Sequence, residues 1–438
     1  MDREERRLRR RKDTRDAVVV LTVFAMIVAL VVAGAVFGIS KLMSGRNHTP
    51  VNGNAGADTQ ATETQETESI PQTEEPEATE TQTVVDPLVE QAAQIVSGMT
   101  LEEKVAQMFF ITPEALTGYG QVTVAGDATN EAYQKYPVGG LIYNSQNLVD
   151  IDQTKTMMAK MQQYADSRIS LPVFLGVDEE GGSVTRIASN EAYGITNIDN
   201  MSDIGATGDT QNAYQAGVTI GTYLSDLGFN LDFAPVADVL TVSDSVIGNR
   251  SFGTDSELVA SMALSELQGL ESMGIQGVMK HFPGHGGVSG DSHSGVVSTD
   301  KSLEELFASE LVPFQRAIDG GAEFLMVGHI AAPNVTGDDT PASLSKVMIT
   351  DVLRTQMGYQ GVVITDAMNM TAITANHAAD EAAVLAVNAG ADMILMPEDF
   401  GKAYNGVIDA VNNGTIDEYR INEAVVRIVK AKLALSAQ

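Results

Sequence analysis

Between Pro87 and the C-terminus, eight short apolar runs alternate with stretches of amphipathic, helix-like pattern. The runs are FFIT ending at Thr112, GGLIY at Tyr143, PVFLGVD at Asp178, LDFAPVAD at Asp238, GVMKH at His281, EFLMVGH at His329, GVVITD at Asp366 and ADMILMP at Pro397. Their apolar residues are contiguous, as expected of parallel strands covered on both faces. Segments such as SLEELFASELVPFQRAIDGG from Ser302 and DEAAVLAVNAG from Asp380 read as the intervening helices. Eight such alternations predict an α/β fold, a single (β/α)8 TIM barrel over residues 87–438, with a doubly wound sheet as the alternative. After the eighth run only helical patterns remain, ending in DEYRINEAVVRIVKAKLAL.

The segment ahead of this body has a different texture. Residues 17–40, AVVVLTVFAMIVALVVAGAVFGIS, carry no charge, and 24 residues at about 1.5 Å each exceed a hydrocarbon core of roughly 30 Å. They read as a transmembrane helix. Residues 1–16 form a basic arm with eight basic and five acidic side chains, while only Lys41 and Arg46 follow the apolar run closely. The positive-inside rule then places the arm in the cytoplasm and the body outside. A cleaved signal peptide is the alternative, because Ala33-Gly34-Ala35 offers small residues at a cleavage position. Residues 41–86 are rich in Thr, Glu and Gln with few large apolar groups, the composition of a disordered spacer that extends by charge repulsion.

Charge and composition exclude several functions. With 27 Lys and Arg against 58 Asp and Glu, the formal net charge is -31, which repels phosphate backbones and argues against nucleic-acid binding. The chain has no cysteine, so disulfides, thiolate metal sites and cysteine nucleophiles drop out. Tryptophan is also absent, which removes the commonest platform for stacking on sugars.

In a barrel of this kind the reactive groups stand at the C-terminal ends of the strands. Asp178, Asp238, the Lys280-His281 pair, His329 and Asp366 all close apolar runs. One polar residue at such a place is unremarkable on a solvent-facing rim, but five together point to an enzyme. The densest segment, KHFPGHGGVSGDSHSG from Lys280, holds three of the six histidines among glycines and reads as a loop aimed at a ligand. Zinc binding by His281, His285 and His293 is disfavoured, since Pro283 and the glycines prevent the helix that would align the first two. Asp291 and His293 stand two apart, so in an extended loop both point the same way and form an acid/base pair. The alternative is a turn with a surface histidine.

Lys280-His281-Phe282-Pro283-Gly284-His285-Gly286 followed by Asp291-Ser292-His293 resembles the signature of glycoside hydrolase family 3, in its β-N-acetylglucosaminidase branch. MTLEEKVAQM from Met99, GVDEEGGSVTR from Gly176, FAPVADV from Phe233, VIGNRSFG from Val246 and ITDAMNM from Ile364 resemble further family blocks in the family's order. The resemblance implies Asp366 as the catalytic nucleophile and His293 as the proton donor with Asp291 as its partner. It implies Asp178, Arg186, Arg250, Lys280 and His281 as residues that hold sugar hydroxyls. For the two arginines, pairing with surplus acids is the structural alternative; for His281 it is a supporting role behind the site. The sequence departs from the family at Gly287-Val288, where Asp-Thr is frequent, and at Val296-Val297, where Leu-Pro is frequent.

The activity implied is that of a retaining exo-β-N-acetylglucosaminidase acting on peptidoglycan-derived saccharides, tethered to the cell membrane with its body outside. No metal or organic cofactor is expected, and a monomer is. A phosphorylase or a β-glucosidase of the same family, and a catalytically idle wall-binding module, are the alternatives.

Overall fold

In a computed structural model of the chain, residues 86–292 and 295–436 are described. The basic arm, the apolar run 17–40 and all but the last residue of the 41–86 tract lie outside them. Among the described residues no helix is long and apolar enough to cross a membrane.

All eight apolar runs are strands: β1 (Phe109–Ile111), β2 (Gly140–Ile142), β3 (Phe174–Val177), β4 (Leu231–Asp232), β5 (Gln276–Phe282), β6 (Phe324–Val327), β7 (Val362–Thr365) and β8 (Ile394–Leu395). Every pairing in this sheet is parallel and joins consecutive strands, and β8 returns to β1 through Phe109–Ile394 and Phe110–Leu395. Between β7 and β8 a bridge from Ile364 to Met393 closes the ring, with the Thr365 N–H donating to the Met393 carbonyl at 3.0 Å. This sequential closed order is that of the barrel; a doubly wound sheet would leave two unpaired edges.

The barrel is filled by aromatic rings. Phe110 stacks on Phe174 and meets Phe233 edge to face, and Phe174 meets Phe324 in the same way. A Cβ added to Gly140 would lie 2.4 Å from the Phe110 ring, so the second run must carry glycine where that ring crosses it.

Two predicted elements come out differently. The segment from Ser302 is two helices, Leu303–Ala308 and Val312–Asp319. Pro313 has no N–H to give and its ring would strike the carbonyl of Ser309, so the first helix ends there. The fourth run is regular only over two residues. Pro235 lacks a ladder donor, and the chain continues toward Asp238 with a single bridge from Val236 to Lys280.

Candidate active site

β3 runs out into Asp178-Glu179-Glu180, where the period of two sends alternate side chains opposite ways. Asp178 and Glu180 both reach the Lys280 ammonium, from Oδ1 at 3.0 Å and Oε1 at 2.5 Å. Glu179 accepts the backbone N–H groups of Arg186, Ile187 and Ala188 and the Tyr223 hydroxyl. It thereby pins the loop that delivers Arg186, whose Nη2 lies 3.5 Å from Oδ2 of Asp178. Arg250 forks onto Glu180 with two bonds of 2.7 Å. Three cations thus share two carboxylates, a cluster with positive charge in excess and donors enough for a polyhydroxylated ligand.

Burial works against the charge on Glu180, but the Lys280 and Arg250 cations beside it prevail and hold its pKa down to about 2. Lys280 is the converse case: burial favours the neutral amine, yet Glu180 and Asp178 raise its pKa above the ordinary lysine value. At neutral pH both are charged.

The segment after Lys280 is fixed by Asp238. Its Oδ2 lies 2.7 Å from Nδ1 of His281, and its Oδ1 accepts the N–H groups of His281 at 3.3 Å and His285 at 2.6 Å. Burial would raise the Asp238 pKa; the adjacent His281 and the donated hydrogen bonds lower it instead. The peptides Lys280–His281 and Phe282–Pro283 are cis. The glycines then serve close approach. A Cβ on Gly286 would lie 2.3 Å from the Val239 carbonyl oxygen, and one on Gly284 would lie 2.6 Å from Cβ of Glu310. The loop is pressed between these two segments, and His285 Nε2 reaches the Ser292 hydroxyl at 2.9 Å.

Asp366 follows β7, its N–H donated to the Val327 carbonyl and its Oδ1 accepting the Ala367 N–H at 2.7 Å. Burial would raise its pKa, but the His329 and His281 imidazoles, the Ala367 N–H and the Lys280 ammonium together draw it below the ordinary carboxylate value. The group is a carboxylate at neutral pH. His329 is oriented by Ser343 at Nδ1 and by the Ala367 carbonyl at Nε2.

Of the residues expected from sequence, Asp178, Arg186, Arg250 and Lys280 are gathered with Glu180 in one ionic cluster; His281, next in the chain to Lys280, is paired instead with Asp238, and Asp366 lies within the electrostatic reach of Lys280 and His281. His293 lies outside the described residues. Asp291, half-buried, and Ser292 carry the chain up to it. The rings of His281 and His285 meet edge to face with centroids 5.9 Å apart. Among the described residues no group of three or more His, Asp or Glu side chains is placed to hold a metal ion. Arg250 is paired with an acid, but an acid of the site. Sequence reasoning missed Glu180, Glu179 and the Ser292 contact. The signal for Glu180 was present: a second acid two residues beyond Asp178 shares its face.

Comparison with known proteins gives a consistent result. Residues 100–431 match the family described as glycosyl hydrolase family 3 N terminal domain. The chain is similar to β-hexosaminidase LpqI of Mycobacterium tuberculosis, 36% identical over 308 residues, covering 68% of this chain and 76% of that protein. It is similar to β-hexosaminidase A of Pseudoalteromonas piscicida at 32% identity over 331 residues; that match covers 70% of this chain but only 55% of the relative's length. Among solved structures, a glycoside hydrolase family 3 β-N-acetylglucosaminidase from Paenibacillus sp. FPU-7 superposes with a TM-score of 0.72 at 36% identity, over 78% of this chain and 64% of that one.

Proposed function

Because the chain belongs to glycosyl hydrolase family 3, we propose that it is a retaining exo-β-N-acetylglucosaminidase that releases terminal β-linked N-acetylglucosamine from peptidoglycan-derived saccharides. The observation that carries this reading is Asp366: a carboxylate kept ionised at a strand end, drawn by Lys280, which is paired with Asp178 and Glu180, and by His281, which is paired with Asp238. The names of the relatives support the choice of sugar.

In the proposed reaction the Asp366 carboxylate attacks the anomeric carbon while His293 gives a proton to the departing oxygen, so the glycosidic bond breaks as the glycosyl–enzyme ester forms. The neutral His293 then takes a proton from water, whose oxygen attacks the anomeric carbon and returns Asp366 as a carboxylate. Asp291 orients the imidazole. Asp178, Arg186, Lys280 and His281 hold the sugar hydroxyls, with Arg250 and Glu180 fixing the lysine. The apolar run 17–40 is proposed to tether the body on the outer face of the cell membrane, where such saccharides arise.

The test is turnover of a chromogenic aryl N-acetyl-β-glucosaminide. Asp366→Ala is expected to abolish it, and full activity in that variant overturns the reading. The first-formed sugar should be the β-anomer; an α-anomer excludes the covalent route. Rates that rise strongly with added phosphate would make the enzyme a phosphorylase, and preference for the plain glucoside would make it a β-glucosidase.

A further inference from the structure

Ser292, the middle residue of Asp291-Ser292-His293, is held from two sides. Its hydroxyl lies 2.9 Å from Nε2 of His285, and its carbonyl accepts the N–H of Ala372 at 3.3 Å. Ser292 is 1% exposed and His285 3%, so both contacts are shielded from water. His285 belongs to the glycine turn after β5, and its N–H is bound by Asp238, the carboxylate that also holds the His281 ring. Its carbonyl accepts the Ser245 hydroxyl at 3.1 Å. Ala372 belongs to the Thr371–Thr374 helix, just beyond Asp366. One serine therefore joins the backbone behind the nucleophile to the side chains around the sugar-binding histidine.

The state of the His285 ring supports a specific role. Its Nδ1 is buried with no hydrogen-bond partner among the described residues. A ring that leaves one nitrogen unsatisfied in the interior costs stability that an aliphatic side chain would not. The Nε2 contact to Ser292 is the feature that a histidine supplies at this place. Burial and the neighbouring His281 keep the His285 pKa below the usual imidazole value, so near neutrality the ring is neutral.

The geometry points to His285 and Ser292 as positioning residues: their hydrogen bond, with the Ala372 N–H to Ser292 carbonyl bond, fixes the chain at Asp291-Ser292, from which it enters His293, relative to the turn after β5 and to the segment following Asp366. The inference rests on the hydrolytic reading above. Loss of the serine hydroxyl leaves Asp366, Lys280 and His281 in place and loosens only the segment that supplies the proton. Chemistry that needs little protonation is then spared, and chemistry that needs full protonation is not.

Two measurements on the full chain test this and separate it from the reading it rests on. The first is hydrogen–deuterium exchange of the peptides spanning residues 287–297 in the unaltered protein, Ser292→Ala and Ser292→Thr. Loss of the tether is expected to speed exchange about tenfold in the alanine variant, with threonine, which keeps the hydroxyl, restoring protection. Unchanged exchange in Ser292→Ala overturns the inference whether or not the protein hydrolyses any glycoside. The second compares aryl N-acetylglucosaminides with good and poor leaving groups. Ser292→Ala is expected to lose about tenfold in kcat/KM on the poor leaving group and less than about threefold on the good one. Equal losses on both overturn a role exerted through the proton donor. His285→Ala should reproduce the pattern, and if it fails to fold the serine variants decide. Should the unaltered protein cleave neither substrate, the functional reading fails while the exchange measurement still decides the tether.

Discussion

The Lys280 ammonium lies 2.5 Å from Oε1 of Glu180, with side chains only 3% and 2% exposed. Such a pair is stable only because it is complete: Arg250 occupies both oxygens of the acid and Asp178 takes a second proton of the amine. Glu180→Gln keeps the shape and removes the charge, leaving buried Lys280 with Asp178 alone as its acid and taking from Arg250 the carboxylate onto which it forks. Unfolding free energy is expected to fall by about 3–5 kcal/mol. If the Lys280 amine holds substrate as proposed, it loses its anchor and kcat/KM should drop roughly 10- to 100-fold, as for a charged hydrogen bond worth about 1.5–3 kcal/mol. Denaturant melts and saturation kinetics on the same variant check both; unchanged kinetics would remove Lys280 from the binding machinery.

A second carboxylate governs acid stability at the opposite end of the barrel. Asp392 is fully buried and receives Arg354, Arg420 at 2.8 Å, Arg427 at 3.1 Å and the Val363 N–H at 3.0 Å. Burial would raise its pKa, but the three guanidinium groups hold it at about 2. Both this group and Glu180 have folded pKa values below their unfolded values of 3.8 and 4.5. Their contribution is therefore complete above about pH 4.5 and is lost as pH falls toward 2. It amounts to on the order of 2–3 kcal/mol for each group. Urea midpoints measured from pH 6 to pH 2 should decline more steeply in the unaltered protein than in Asp392→Asn, whose stability starts lower and changes less with pH.

These two clusters mark what the chain reveals before it folds and what it does not. The barrel was legible because parallel strands covered on both faces leave unmixed apolar runs, and eight of them in alternation admit few arrangements. Asp366, Asp178 and Lys280 were legible because each closes such a run. Glu180 was not assigned, because its role depends on Lys280 standing across the barrel mouth, 100 residues later in the chain. Asp392 was equally obscure: its arginine partners come from three separate turns of helix, and neither periodicity nor composition pairs a buried acid with distant bases. The break before Pro313 was readable from proline chemistry alone, whereas the Ser292 contact required the folded loop.

Lys432 is fully buried on the Glu418–Ser436 helix, its amine 2.7 Å from Oε1 of Gln107 and 5.2 Å from the centroid of the Phe174 ring. Burial lowers its pKa from 10.5 to about 7. The unfolded chain binds that proton more readily, so this group makes stability rise as pH climbs from about 7 toward 10. Lys432→Met keeps the length and removes the charge. It is expected to stabilise the protein at pH 7 by about 1–3 kcal/mol, after deducting roughly 1 kcal/mol for the lost bond to Gln107. The gain over the unaltered protein should shrink as pH rises from 7 to 9; a gain that stays constant would show that the amine is charged in the fold.

Gly286 is required by contact. An alanine Cβ would lie 2.3 Å from the Val239 carbonyl oxygen and 2.7 Å from its carbon, and backbone atoms cannot swing aside as a side-chain end can. Gly286→Ala should push the turn off the segment after β4, at a cost of about 1–3 kcal/mol by thermal unfolding. Because His285 precedes this residue, activity should fall further than stability alone explains. Wild-type activity at a temperature where the variant remains folded would show that the turn does not set the site.

His293 bears the proposed proton transfer, and leaving groups of different basicity measure it. General acid catalysis is worth roughly 10²- to 10⁴-fold where the departing oxygen is strongly basic, and little where it leaves unaided as a nitrophenolate. His293→Ala is therefore expected to retain most of its first-step rate on an activated aryl glycoside and to lose about 10²-fold or more on an alkyl glycoside or disaccharide. In the proposed mechanism, hydrolysis of the ester on Asp366 also uses the imidazole, as the base that takes a proton from water. The variant should then accumulate glycosyl–enzyme on activated substrates, seen as a burst followed by slow turnover and as a mass increment on Asp366. An equal loss across the leaving-group series with no trapped ester would assign the proton transfer to another residue.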